Sequence, residues 1–253
     1  MSEVFVSMRK VRQKFGDQEI LRGVDLDIYR GETLVLLGGS GGGKSVLMKH
    51  ICGLLCPVSG TVEVDGETIS CKSEREMASV RKKVSMMFQG GALFDSLTVG
   101  GNIAFPLREA GVRDEALIAE RVEKALEIVR LPGQTDKMPS DLSGGMRKRV
   151  ALARAVVEMP CLVLYDEPHA GLDPVTADSI DHLIKDLQKK HGMTNVVVTH
   201  EMRSVFRIAD RVVFMQDGRV YFEGTPAELK ASADPVLSDF IAGRSRRAAE
   251  WGE

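Results

Sequence analysis

Gly38-Gly39-Ser40-Gly41-Gly42-Gly43-Lys44-Ser45 fits the spacing G-x-x-x-x-G-K-[ST], and its flanks decide how the chain is read. Thr33-Leu34-Val35-Leu36-Leu37 before it has the length and content of a buried strand. Val46-Leu47-Met48-Lys49-His50-Ile51 after it repeats its apolar residues at helical spacing. In a strand, glycine loop, helix sequence the glycine backbone can curl so that successive N–H groups point inward. The helix that follows adds the positive end of its dipole. The expected ligand is ATP: Gly38, Gly39, Ser40, Gly41, Gly42, Gly43 and Val46 form the cradle, and Lys44 reaches the β- and γ-phosphates. The Ser45 hydroxyl is expected to ligate Mg²⁺.

Working outward, Cys161-Leu162-Val163-Leu164-Tyr165-Asp166 is a second buried-strand run, ending in a carboxylate with Glu167 directly after it. A carboxylate at a strand tip beside a phosphate loop is placed to bind Mg²⁺, and Glu167 could take a proton from an attacking water. Leu142-Ser143-Gly144-Gly145-Met146 precedes a helical segment. By itself it is an ordinary N-cap; its hydroxyl, glycine N–H groups and helix dipole could also converge on a γ-phosphate.

A length of 253 residues accommodates one full α/β domain, and the formal net charge of −2 gives no general attraction for nucleic acid or anionic lipid. No apolar stretch approaches the roughly 20 residues needed to cross a bilayer, and Met1-Ser2-Glu3-Val4 does not look like a signal segment, so a cytosolic chain is expected. Cys52, Cys56, Cys71 and Cys161 lack a second Cys or His pair to complete a zinc set, which predicts core packing. Arg244, Arg246 and Arg247 read as a solvated tail.

Further strands are predicted at 4–8, 24–28, 61–64, 84–88, 161–165, 196–199 and 211–215, with a helix to about Leu55 and another over 74–82. Segment 113–130 has an amphipathic pattern through Leu117, Ile118, Val122, Ala125, Leu126 and Val129, and a second helix is predicted over 144–157. The organisation expected is a nucleotide-binding core, 1–90 and 156–243, interrupted by a helical subdomain at 91–155 and followed by a polar tail at 244–253.

The order of these motifs resembles the ATP-binding subunits of ABC transporters along nearly the whole chain. Gly38–Ser45 matches the Walker A loop, Gln89 the Q-loop, and Leu142–Met146 the LSGGQ signature. Asp166 and Glu167 match Walker B and its catalytic base. Ala170-Gly171-Leu172-Asp173 is similar to the D-loop, His200 to the H-loop, and Phe15 stands where the family places an aromatic against adenine. The resemblance implies an α/β fold: a P-loop NTPase core of RecA-like type with an antiparallel β subdomain and a helical insertion. It also implies a head-to-tail homodimer in which Ser143, Gly144 and Gly145 serve the partner's ATP, and a nucleotide-binding role for Asp173. His200 would bridge the γ-phosphate, Glu167 and water, and Gln89 would join Ser45 and Asp166 around Mg²⁺.

Segments Phe88–Val99 and Asn102–Glu109 look like the Mla/Mce-type group, which powers phospholipid transport. That implies an integral-membrane permease contacting the Phe94–Leu107 region, an Mce-type lipid-binding subunit, and a place on the cytoplasmic face of the inner membrane. Core packing is the plainer reading of Phe94, Phe105 and Leu107. Another solute transporter, or a cell-division-type regulator that signals without moving substrate, uses the same motor chemistry. DNA-repair and translation relatives carry long coiled coils or tandem nucleotide domains, which this chain lacks. His169, Gly42, Gly43 and Gly101 depart from the family pattern; Gly42 and Gly43 are expected to loosen the phosphate loop, and Gly101 to weaken a helix interior.

Overall fold

The computed structural model describes residues 3–244, so Arg246, Arg247 and the rest of the expected tail beyond Arg244 lie outside the described residues; exposed Arg244 pairs with Asp239 at 3.1 Å. Strands β1 (Val4–Phe15) and β2 (Gln18–Tyr29) form a long hairpin. They lead into β3 (Thr33–Gly38) and helix α1 (Lys44–Ile51). Next come β4 (Ser59–Val64), β5 (Glu67–Thr68), the single turn α2 (Ala78–Arg81) and β6 (Val84–Met87). The helical stretch is α3 (Val99–Glu109), α4 (Glu115–Ile128) and α5 (Gly144–Val156). Then follow β7 (Leu162–Asp166), α6 (Pro174–His191), β8 (Thr194–Val198) and α7 (Met202–Ile208). The described chain closes with β9 (Arg211–Gln216), β10 (Arg219–Gly224), α8 (Pro226–Ala231) and α9 (Pro235–Ile241).

Two sheets result: an antiparallel one ordered β2-β1-β4-β5, and a six-stranded one ordered β10-β9-β3-β8-β7-β6. In the larger sheet β6, β7, β8, β3 and β9 run parallel. Side chains alternate across a strand, so a sheet covered on both faces needs apolar residues at every position. Leu34 and Leu36 enter one core with α1 and the antiparallel sheet, whereas Val35 and Leu37 enter another with α3 to α6. The helical stretch shares that second core, through Ile103, Leu107, Leu126 and Val150, with Val163 and Tyr165 of β7. Fully buried Tyr165 donates its hydroxyl to Asn195 Oδ1 at 3.2 Å, and Asn195 Nδ2 donates to Thr33 Oγ1, a polar thread across β7, β8 and β3. Burial raises the Tyr165 pKa.

Several expectations change. The hairpin strands are longer than predicted because Lys10, at φ 49°, sits in a bulge that resets the alternation between Met8 and Val11. Helix α1 ends at Ile51, not near Leu55; Gly53 turns the chain at φ 67°, and a Cβ there would lie 2.2 Å from the Met77 methyl. Only 78–81 of the predicted 74–82 helix forms, a single turn that buries Val80, with Met77 just before it also in the core. Helix α3 was hidden from pattern reading by Gly100, Gly101 and Pro106. Thr98 caps it, Ile103, Ala104 and Leu107 are buried, and Asn102 stitches it to the preceding loop by donating to the Phe94, Leu97 and Thr98 carbonyls. Gly101 is therefore in a capped first turn rather than a helix interior.

Core packing holds for Cys52, partly buried against the α1 core, and is corrected for Cys56, Cys71 and Cys161, which are exposed. Cys56 and Cys71 form a disulfide between loops, with Cα atoms 4.6 Å apart. Among the described residues no helix is long and apolar enough to cross a membrane.

Candidate functional site

The parallel register puts four strand ends side by side. Gly38 of β3 pairs with Met215, Leu36 with Val198 of β8, Val198 with Asp166 of β7, and Tyr165 with Met87 of β6. The segments leaving those ends carry Gly38–Ser45, His200, Glu167 and Gln89 in sheet order. The carboxyl edge of a parallel sheet is where such folds bind ligands, because loops and helix N-termini converge there.

The loop after β3 has a backbone that only glycine accepts at several points. Gly38, Gly41 and Gly43 have φ of 139°, 79° and 92°. A Cβ on Gly38 would lie 2.2 Å from the Met215 carbonyl oxygen, and one on Gly43 would lie 2.7 Å from Leu21. That second approach brings the β1–β2 hairpin against the loop. Gly42 is not loose: its N–H donates to the Gly39 carbonyl at 3.2 Å, and a Cβ there would meet the same oxygen at 3.1 Å. Gly39 and Ser40 are exposed, and Gly39–Gly42 line a cleft of about 310 Å³ with Phe214, Gln216 and Phe240. Val46 turns its side chain toward the α1 core, leaving only its backbone for a ligand.

Lys44 Nζ donates to the Gly38 and Gly39 carbonyls at 2.9 and 2.8 Å. Burial lowers its pKa, and the charges of Glu167 and Asp166 oppose that shift. Ser45 Oγ donates to Asp166 Oδ1 at 3.4 Å, and burial raises the Asp166 pKa against that bond. These two oxygens are hard donors of the kind Mg²⁺ takes, together with phosphate oxygens. Glu167 holds φ 49°, a conformation costly for a residue with a side chain, and its N–H donates to the Val198 carbonyl at 2.9 Å. Its Oε2 lies 3.0 Å from His200 Nδ1. Glu167 is mostly buried, whereas the His200 side chain is 73 % exposed.

Gln89 is exposed, and its backbone carbonyl accepts a hydrogen bond from buried Lys148 of α5. Burial lowers the Lys148 pKa while Glu167 and Asp166 raise it. Arg154 donates to the Gly91 and Ala92 carbonyls, both at 2.7 Å. Two cations of α5 thus hold the segment after β6. Sequence reading missed this role for Lys148, since 59 residues separate the partners and no local pattern joins them.

Ser143 N-caps α5, accepting from Met146 N–H at 3.3 Å. Gly145 leaves no room for a side chain, as a Cβ would lie 2.5 Å from Thr176. Gly144 lines a cavity of about 230 Å³ with Gln89, Lys148 and Gly171, separate from the cleft at Gly39–Gly42. Asp173 N-caps α6, its carboxylate accepting from Val175 and Thr176, bonds that lower its pKa. Phe15 is half exposed at the hairpin tip. Leu107 is core, whereas Phe94 and Phe105 form a partly exposed ring pair 4.7 Å apart, lining a cleft of about 350 Å³ with Phe88 and Arg154.

Comparison with known proteins agrees with this geometry. The model of the family described as ABC transporter matches residues 21–170. The intermembrane phospholipid transport system ATP-binding protein MlaF of Haemophilus influenzae is 39 % identical over 97 % of this chain and 93 % of its own length. The methionine import ATP-binding protein MetN of Carboxydothermus hydrogenoformans is 42 % identical over 86 % of this chain, which spans 65 % of that protein. Among solved structures, a dimeric ATP-binding cassette in a post-hydrolysis state, bound to ADP and Pi, superposes with a TM-score of 0.80. It is 31 % identical over 87 % of this chain and 98 % of its own.

Proposed function

This chain belongs to the ABC transporter family as an ATP-binding ATPase subunit, and from that premise we propose that it powers phospholipid transport through a membrane permease of Mla/Mce type. The observation that carries the motor assignment is the row of four strand ends, which gathers Lys44, Ser45, Asp166, Glu167, His200 and Gln89 at one sheet edge. The phospholipid assignment rests on the whole-length likeness to the Haemophilus protein.

In this reading the loop 38–43 and the backbone of Val46 cradle the phosphates, with Phe15 against adenine. Lys44 leaves its carbonyl partners for the β- and γ-phosphates. Ser45 and Asp166, with Gln89, would hold Mg²⁺, which when bound neutralises charge on the phosphate oxygens. Glu167 accepts the proton of the attacking water. His200, 3.0 Å from it, orients that carboxylate and meets the γ-phosphate. Gly144 lines a cavity, and Ser143 and Asp173 cap helices, apart from the phosphate-loop cleft, which fits these residues and Gly145 serving the ATP of a second copy across a head-to-tail interface. The cleft at Phe88, Phe94 and Phe105 takes an apolar helix of the permease. An Mce-type lipid-binding subunit completes the complex, with this chain peripheral on the cytoplasmic face of the inner membrane and no nucleic-acid partner. In this reading the core (1–90 and 156–243), the helical subdomain (91–155) and the tail (244–253) belong to one ATPase domain.

A second reading, import of a small solute, is favoured by the 42 % identity to the methionine importer subunit. The two separate in one experiment. The complex captured from membranes through this chain is placed in liposomes with fluorescent phospholipid or with labelled methionine. ATP-dependent movement of phospholipid is expected, along with co-purification of a permease and a lipid-carrying subunit. ATP-dependent methionine uptake with phospholipid unmoved would establish the second reading.

A further inference from the structure

The loop from Glu167 to Asp173 is held in two turns that ordinary residues resist, Glu167 at φ 49° and Gly171 at φ 78°. Its internal bonds, Ala170 N–H to the Glu167 carbonyl and Leu172 N–H to the His169 carbonyl, are both 3.1 Å. Those bonds shape the loop, and the Glu167 N–H on the Val198 carbonyl at 2.9 Å ties its near end to β8, which leaves the middle and far end to be held by other contacts. Helix α6 begins at its far end and α7 follows His200, so three elements carry Glu167, Asp173 and His200. They meet at His169. His169 Nε2 lies 2.7 Å from Asp181 Oδ1, and the two side chains are 5 % and 2 % exposed. Asp181 belongs to α6, and Arg207 of α7 approaches its other oxygen at 3.5 Å while also pairing with Asp178. The other ring nitrogen of His169 is buried without a hydrogen-bond partner among the described residues.

We propose that His169 is a positioning residue for ATP hydrolysis: through Asp181 and Arg207 it fixes the mutual placement of Glu167, Asp173 and His200. The proposal rests on the roles given to Glu167 and His200 above. A buried carboxylate needs its partner, so the His169–Asp181 bond resists displacement far more than an exposed pair would. It ties down the loop that presents the base and leaves the phosphate loop alone. The expected consequence is a change in kcat with little change in KM for ATP.

The test uses the assembled complex. His169→Phe keeps the ring's bulk without its hydrogen bond, and kcat is expected to fall about tenfold or more with KM for ATP within about twofold. His169→Gln carries an amide N–H at similar reach, and is expected to return kcat to within about threefold of the unmodified chain. Unchanged kcat in His169→Phe alongside a lowered melting temperature would overturn the proposal, leaving a purely structural bond. A rise in KM to match the fall in kcat would overturn it too. Should His169→Phe fail to fold, His169→Phe with Asp181→Leu leaves no buried carboxylate unpaired and carries the same expectation. Glu167→Gln is measured beside it. Loss of turnover there with normal His169→Phe refutes positioning alone, whereas normal turnover in Glu167→Gln removes the reading beneath it as well.

Discussion

The Glu167→Gln protein is expected to bind ATP as tightly as the unmodified chain and to accumulate as a closed dimer, while turnover falls at least about 10²-fold. Gln matches Glu in size and hydrogen-bonding reach, and the backbone that aims the residue, with its N–H on the Val198 carbonyl, is untouched. What is lost is the ability to take a proton. The carboxylate is mostly buried and lies 3.0 Å from His200 Nδ1. Lys44 keeps Asp166 as a charged neighbour, which preserves the binding side of the site. ATP occupancy and phosphate release are measured on the same preparation. Normal phosphate release would remove Glu167 from the role.

Lys44→Ala should fail a step earlier. Charge-assisted hydrogen bonds contribute more than neutral ones, and losing those from Lys44 to two phosphates should weaken ATP binding about 10²-fold or more and abolish turnover. The substitution also removes the donor that now holds the Gly38 and Gly39 carbonyls, so folding is checked by thermal unfolding. The contrast between the two variants separates binding from chemistry: one retains ATP without hydrolysing it, the other does not retain it. Near-normal ATP affinity in Lys44→Ala would contradict the assignment of the loop.

The phosphate loop was legible in the sequence because its chemistry is local. The glycines that permit φ of 139°, 79° and 92° stand next to the lysine they serve. The buried strands were legible for a similar reason, since β3 and β7 are apolar at nearly every position. Contacts across long separations left no such trace. Lys148 on the Gln89 carbonyl exists only once the sheet order brings β6, α5 and β7 together, and His169 meets Asp181 only once α6 forms beyond the loop after β7. The bounds of helix α3 left no pattern because glycine and proline oppose it locally, and its burial and the Asn102 bonds override them. The disulfide was missed because Cys56 and Cys71 stand on loops whose approach depends on the antiparallel sheet.

Each active site is expected to be divided between two copies of the chain. Ser143→Arg places bulk and positive charge on the N-cap of α5, where the partner's γ-phosphate is expected, and leaves its own phosphate loop intact. Lys44→Ala disables the phosphate loop and leaves the signature intact. Mixing the two yields dimers in which one composite site carries both lesions and the other carries none. Ser143→Arg alone is expected to bind ATP without turning over, and the mixture to regain part of the activity neither variant has by itself. If Ser143→Arg instead loses ATP binding on its own chain and the mixture stays inactive, the signature acts within one chain and the shared site is wrong.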